Sequence, residues 1–209
     1  MLVKRQSIVL CLIECGETAW QIDGRVQGAM DLPLSDAGRI AVAAQLHRLA
    51  GSRASIIFHP ADEACAESAA MCASHIGVKT KAVGELADPH LGLLEGLTAQ
   101  EFSERFPTRF KQWEDDPFSL SPPNGEQMHE AADRLFRAVG KILKHSRSAE
   151  IAIVLHEMGL GMLRCWLADQ PLRDLRLVLN GGPRIERYVI AREMLGALET
   201  AAESQFAQS

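Results

Sequence analysis

The feature that most constrains this chain is a short apolar run, Ser7 to Ile13, that stops abruptly at Glu14-Cys15-Gly16. A continuous apolar stretch rich in β-branched residues reads as a strand buried on both faces, the kind found in parallel sheets. In open α/β sheets, ligands bind beyond the carboxyl ends of the strands. That places Glu14 and Cys15 at the mouth of a candidate site. The segment that follows carries Gly16-Glu17-Thr18, Trp20, Gly24-Arg25 and Gln27-Gly28, with few apolar residues between them. A loop of this length after a first strand is more often functional than filler.

The pattern repeats downstream. Ser35 to Gly38 can cap a helix running to about Ala50. Arg53 to Phe58 reads as a second strand, and Pro60 opens an alanine-rich helix through about Ile76. Val78 to Val83 reads as a third strand, Leu86 to Gly92 as a loop, and Thr98 to Phe106 as a short helix. Residues 107 to 125 hold Pro107, Pro117, Pro122, Pro123 and Gly125 and read as an irregular excursion. A long helix to about His145 follows. Glu150 to Leu155 is another buried strand, closing on His156, with a helix from about Met158 to Leu167 after it. Arg187 to Ala191 reads as a late strand, and the polar tail after Thr200 is expected to fray. Alternating strands and helices imply a largely parallel sheet covered on both faces.

With 209 residues, 47% of them hydrophobic, the chain can build one substantial core, and no linker divides it. A single domain over 1–209 is expected. The net charge of −5 argues against nucleic acid as a partner. No apolar run approaches the roughly 20 residues that span a bilayer, so no membrane partner is expected. The basic pair Lys4-Arg5 precedes an apolar run but no small-residue cleavage site, which favours a strand over a signal peptide. The five cysteines are odd in number and include no CxxC pair. Cys11 and Cys15 would lie about 13 Å apart on a strand. Cys65 and Cys72 would lie about 10 Å apart on a helix. Neither pair can bridge, so a reduced, cytoplasmic protein is expected.

Together, Gly16-Glu17-Thr18, Trp20, Gly24-Arg25, Gln27-Gly28 and Asp31-Leu32-Pro33-Leu34 resemble the signature of the histidine phosphatase superfamily, also called phosphoglycerate mutase-like. Leu94-Glu95-Gly96 and Pro122 to Glu126 resemble that family's Trp-Glu-Gly and Pro-Gly-Gly-Glu segments. The resemblance implies a three-layer α/β/α sandwich with a mostly parallel central sheet. It also implies phosphoryl transfer to a histidine, with two arginines and a second histidine gripping the phosphate and an acid protonating the leaving group.

The chemistry-bearing positions differ from that signature. Glu14 stands where the family has its first arginine, Cys15 where it has the phosphorylated histidine, and Glu63 where it has the second arginine. Asp88 aligns with the acid and His156 with the second histidine. Glu157-Met158 replaces two glycines, and Gln21 replaces an asparagine. Gly16 and Arg25 match. Arginine forks suit phosphate oxygens, so exchanging two of them for glutamates shifts these positions from about +2 to about −2. At roughly 4 Å one unit-charge pair is worth ~4 kcal/mol at an effective dielectric of 20. Attraction for a phosphate dianion becomes repulsion of similar size.

As a substitute nucleophile Cys15 would need positive neighbours. Glu14, Glu63 and Asp88 are expected instead to raise its pKa above about 8.5. The expected protein is therefore a degenerate family member, a pseudoenzyme whose crevice binds an unknown small molecule or protein. Cys15, Asp88 and His156 occupy the catalytic positions, and Glu14, Gly16, Gln21, Arg25, Glu63 and Glu157 the binding positions. A third reading is a metal site built from Glu14, Cys15, Glu63, Asp88 and His156, which offer O, N and S ligands enough for zinc; because they match no recognised metal spacing, no cofactor and no metal are expected. A homo-oligomer is compatible with the sequence. The competing reading is an active hydrolase using Cys15 or a water activated by His156.

Overall fold

The computed structural model describes residues 7–175 and 185–195. Five strands, β1 (Ser7–Glu14), β2 (Ala54–His59), β3 (Lys79–Ala82), β4 (Glu150–Leu155) and β5 (Ile185–Ala191), form one sheet in the order β3-β2-β4-β1-β5. The first four strands run parallel and β5 runs antiparallel to β1. Every residue of β4, the central strand, is buried.

Among the described residues seven α-helices accompany them: α1 (Ala19–Ile22), α2 (Asp36–Gln45), α3 (Glu63–Ile76), α4 (Ala99–Arg105), α5 (Pro107–Asp115), α6 (Met128–His145) and α7 (Glu157–Leu167). Alternation along β1 divides the core in two. Leu10 and Leu12 join Ile151 and Ile153 beneath Leu135 and Phe136 of α6 and Leu160 and Leu163 of α7. Cys11, Ile13 and Cys15 join Ala152 and Val154 beneath Val42 of α2 and the small residues Ala64, Cys65, Ala69 and Cys72 of α3. Helices therefore cover both faces of the sheet, as an α/β/α sandwich requires.

Two expectations need correction. Residues 107 to 125 are not irregular throughout: Pro107 takes the first position of α5, where its missing N–H costs nothing. Phe110 of α5 packs edge-on against Phe102, with ring centroids 5.3 Å apart. The helix after β2 starts at Glu63, not Pro60, because the Asp62 carboxylate accepts from the Cys65 N–H at 2.9 Å and caps it. Gly77 closes α3 in the left-handed region at φ 72°.

Among the described residues no helix is long and apolar enough to cross a membrane. The polar tail after Thr200 lies outside the described residues.

Candidate functional site

Sheet register builds the site. Glu14 pairs with Leu155 at the ends of β1 and β4, and the Cys15 N–H donates to the Leu155 carbonyl at 2.8 Å. The next residues, Cys15 and His156, are therefore brought side by side beyond the sheet. Gly16 is the only residue type that fits the next position. A Cβ there would lie 2.8 Å from the Gly38 carbonyl oxygen and 2.9 Å from both Leu34 and Val42.

Below Cys15 lie the first two turns of α3. Cys15 Sγ is 3.5 Å from Ser68 Oγ and 3.3 Å from the Gly16 carbonyl oxygen, and the Gly16 N–H donates to Ser68 at 3.2 Å. One ligand-capable atom each from Cys15, Cys65 and His156 all lie within 4.8 Å of one another, and all three residues are buried. His156 Nε2 sits 2.9 Å from Asp62 Oδ1. Asp62, Cys65 and Ser68 belong to the site but were not singled out from the sequence. The signal was present: an Asp immediately before an alanine-rich helix is a cap, and Cys65 and Ser68 share its buried face.

Electrostatics follow this geometry. Burial pushes the Cys15 thiol up, but the Cys65 hydrogen bond, the His156 imidazole and the Ser68 hydroxyl outweigh it and bring Cys15 down to about 6. The expected rise is overturned, because the neighbours of this sulfur are a thiol, an imidazole and a hydroxyl instead of three carboxylates. Cys65 takes the opposite shift: full burial and the adjacent Cys15 hold it well above its ordinary value. Burial opposes charge on His156, but Cys15, Asp62 and Asp88 together raise it well above the usual imidazole range.

Asp88 lies on the other side of His156 and accepts from the Gly159 N–H in the first turn of α7 at 2.8 Å. Its burial pushes the carboxyl up to about 6, against the lowering effect of His156 and the α7 N–H groups.

The remaining positions separate. Adjacent strand residues face opposite sides, so Glu14 turns away from Cys15 towards α7, with Oε2 3.6 Å from Arg164 Nη2. Arg164 also pairs with Glu186 of β5 at 3.2 Å. Glu63 is exposed at the start of α3, and its N–H donates to Asp31 at 2.7 Å. The two glutamates thus do not converge on one crevice. Gln21 closes a capping box with Thr18 at the start of α1. Arg25 donates to the Gly96 carbonyl at 2.7 Å and meets Glu101 at 3.4 Å. Glu157 is half-buried in the first turn of α7. Burial raises its carboxyl, with Arg164 opposing and Glu17 adding to the shift.

A cleft of about 230 Å³ opens over His156, lined also by Asp31, Asp62, Asp88, Ala61 and the Gly28–Met30 segment. No arginine or lysine among the described residues lines it. A second cavity of about 170 Å³ adjoins it at Gly28 and Asp88, with Gln21, Arg25 and Glu157 in a wall that is otherwise largely apolar.

An α/β/α sandwich with its candidate residues at the carboxyl ends of β1 and β4 defines a crevice-bearing α/β protein. Residues 10–184 match the family model of the histidine phosphatase superfamily (branch 1), and the chain belongs to that superfamily. It is 27% identical over 150 residues to phosphoglycerate mutase-like protein 4 of Arabidopsis thaliana, covering 70% of this chain and 65% of the relative. It is 26% identical over 157 residues to a metal-independent phosphoserine phosphatase of the same plant, covering 74% and 66%. The chain thus spans a little under two thirds of the length of these relatives. Among solved structures, Bacillus stearothermophilus YhfR superposes with a TM-score of 0.74 at 28% identity, covering 80% of this chain and 83% of that one. A mycobacterial glucosyl-3-phosphoglycerate phosphatase shares the fold, with a TM-score of 0.73 at 21% identity over 88% and 90%.

Three outcomes follow from this geometry. Glu14→Arg sets two buried guanidinium groups against each other and is expected to cost about 3 kcal/mol or more in urea unfolding. Adding Arg164→Glu recovers part of that loss, although Glu186 then faces a carboxylate. Full stability in the single mutant would refute the pairing.

Asp88 binds its proton more tightly folded than unfolded. Its contribution to stability is full below about pH 4 and is lost as the pH rises through about 6. Asp88→Asn, which keeps the acceptor for Gly159, should match the parent near pH 4. Near pH 8 it should gain about 1–3 kcal/mol, at about 1.4 kcal/mol per pKa unit. Thermal melts against pH measure this.

The alkylation rate of Cys15 by a small haloacetamide should inflect near pH 6, and the inflection should move up in His156→Gln. An inflection above about pH 8.5 in the parent would restore the ordinary thiol.

Proposed function

We propose that this chain is a histidine-phosphatase-fold protein that has given up phosphotransfer through histidine and uses its crevice to bind a neutral or cationic ligand. The observation that carries the reading is the cleft lining: Asp31, Asp62 and Asp88 surround His156, with no guanidinium or ammonium group among the described residues of the wall. A phosphate dianion entering there meets carboxylates where the chemistry of phosphate binding calls for arginine forks. Arg25, which lines the adjoining cavity, is engaged by Glu101, and Arg164 by Glu14 and Glu186. The relatives named phosphatases act on phosphate esters by their names. This chain keeps their frame and, at Glu14, Cys15 and Glu63, not the reagents the family resemblance implies.

A hydrolase reading draws on the order Cys15, His156, Asp62, which has the sequence of thiol, imidazole and orienting carboxylate used in nucleophilic catalysis. It is the weaker reading. The Gly16 N–H beside the sulfur is already given to Ser68, and no arginine or lysine among the described residues lines the cleft where an oxyanion would develop.

Hydrolysis of an aryl phosphate between about pH 5 and pH 9 separates the two. No turnover above a buffer blank is expected. Turnover that disappears in Cys15→Ala would establish the hydrolase instead.

A further inference from the structure

The acidic cleft has a floor whose chemistry differs from its walls. His156, which lines the cleft, also lies within 4.8 Å of the buried sulfur atoms of Cys15 and Cys65, outside the lining, and their donor set is soft where that of the cleft is hard. We propose that Cys15, Cys65 and His156 form a binding site for a single zinc-like ion, held under the cleft and oriented by Asp62. The inference does not depend on whether phosphatase activity has been lost, since it concerns the floor of the crevice and not its lining charge.

The distances support it. Tetrahedral zinc with Zn–S near 2.3 Å and Zn–N near 2.0 Å holds its ligand atoms roughly 3.5 to 3.8 Å apart. The three atoms here already lie within 4.8 Å of one another. Closing on an ion therefore asks for movements of about 1 Å, within the reach of small χ adjustments. The ligands come from the ends of β1 and β4 and the first turn of α3, so the elements that would carry the ion are packed into one core.

The surroundings also fit. Metal-ligating histidines almost always hand their other ring nitrogen to a carboxylate or carbonyl. His156 Nε2 meets Asp62 at 2.9 Å, and that same carboxylate is fixed by the Cys65 N–H at 2.9 Å. Ser68 stands 3.5 Å from Cys15 Sγ and can donate to a thiolate there. Two thiolates and a neutral imidazole would cancel the charge of a divalent ion, so the ion and its three ligands together carry no net charge. The thiol protons leave to solvent on binding. Donors of this softness select zinc or its analogues over magnesium and calcium, which prefer oxygen. The cleft reaches the cluster at His156 and Asp62, the side from which an ion would approach.

The test uses reduced, chelator-stripped protein titrated with Co²⁺ as a spectroscopic stand-in for zinc. Expected are one equivalent bound, a thiolate-to-cobalt charge-transfer band in the near ultraviolet, and the intense visible absorption of tetrahedral cobalt. Zinc should displace the signal stoichiometrically, raise the melting temperature and protect Cys15 from alkylation, while magnesium does none of these. Cys65→Ala, a small-residue change in a helix already rich in alanine, should keep the fold and lose at least tenfold in affinity. Cys72→Ala, on the same helix but outside the cluster, should leave binding unchanged. Asp62→Asn should weaken binding by about 10- to 100-fold, the usual effect of removing an outer carboxylate. Overturning results are no cobalt spectrum at millimolar ion, or a spectrum unaltered by Cys65→Ala. Aryl phosphate turnover, present or absent, bears on neither.

Discussion

Parallel pairing between β1 and β4 runs one step past the last strand residues, through the Cys15 N–H and the Leu155 carbonyl at 2.8 Å. Everything at the crevice follows from that added rung. It fixes the height at which both strands release their chains, sets Cys15 beside His156, and leaves Gly16 to turn against Gly38 where no Cβ would fit. Had the register slipped by one residue, Glu14 would face the α3 side and Cys15 the α7 side. The thiol, the imidazole and the buried helix face of α3 meet only in the register observed.

The fold was largely legible in the sequence because its signals are local. The runs at Ser7–Ile13 and Glu150–Leu155 are too apolar to be anything but buried strands, and the glycine-studded loop signature carried the family resemblance. The misreadings were of two physical kinds. Residues 107 to 125 were read as irregular because proline was counted as a breaker, although Pro107 stands at the one helical position that tolerates it. Glu14 was read as a pocket carboxylate because its chain neighbour Cys15 is a site residue. Strand alternation sends the two to opposite sides of the sheet, and Arg164, 150 positions away along the chain, supplies Glu14 with a countercharge.

The site was legible only where its residues fall within segments that resemble the family signature. Cys15, Asp88 and His156 could be placed by resemblance, and the structure gathers them within one crevice region. Asp62, Cys65 and Ser68 could not, since what makes them part of the site is the packing of α3 under β1. No spacing in the sequence records that distance. The same omission reversed the expected behaviour of the Cys15 thiol. Glu14 lies on the other side of the sheet and Glu63 is exposed on α3, whereas the groups in contact with the sulfur stabilise its anion.

Asp62 performs two tasks with one oxygen. Its Oδ1 caps α3 through the Cys65 N–H and holds the His156 ring, both at 2.9 Å. Whatever draws that carboxylate towards an occupant of the crevice loosens the first turn of a 14-residue helix that packs against the sheet. Whatever leaves it in place keeps the turn wound. Occupancy of the crevice and fraying of α3 thus draw on the same hydrogen bond, and amide exchange at Ala64 to Ala66 becomes a gauge, read from the backbone, of what the side chains hold.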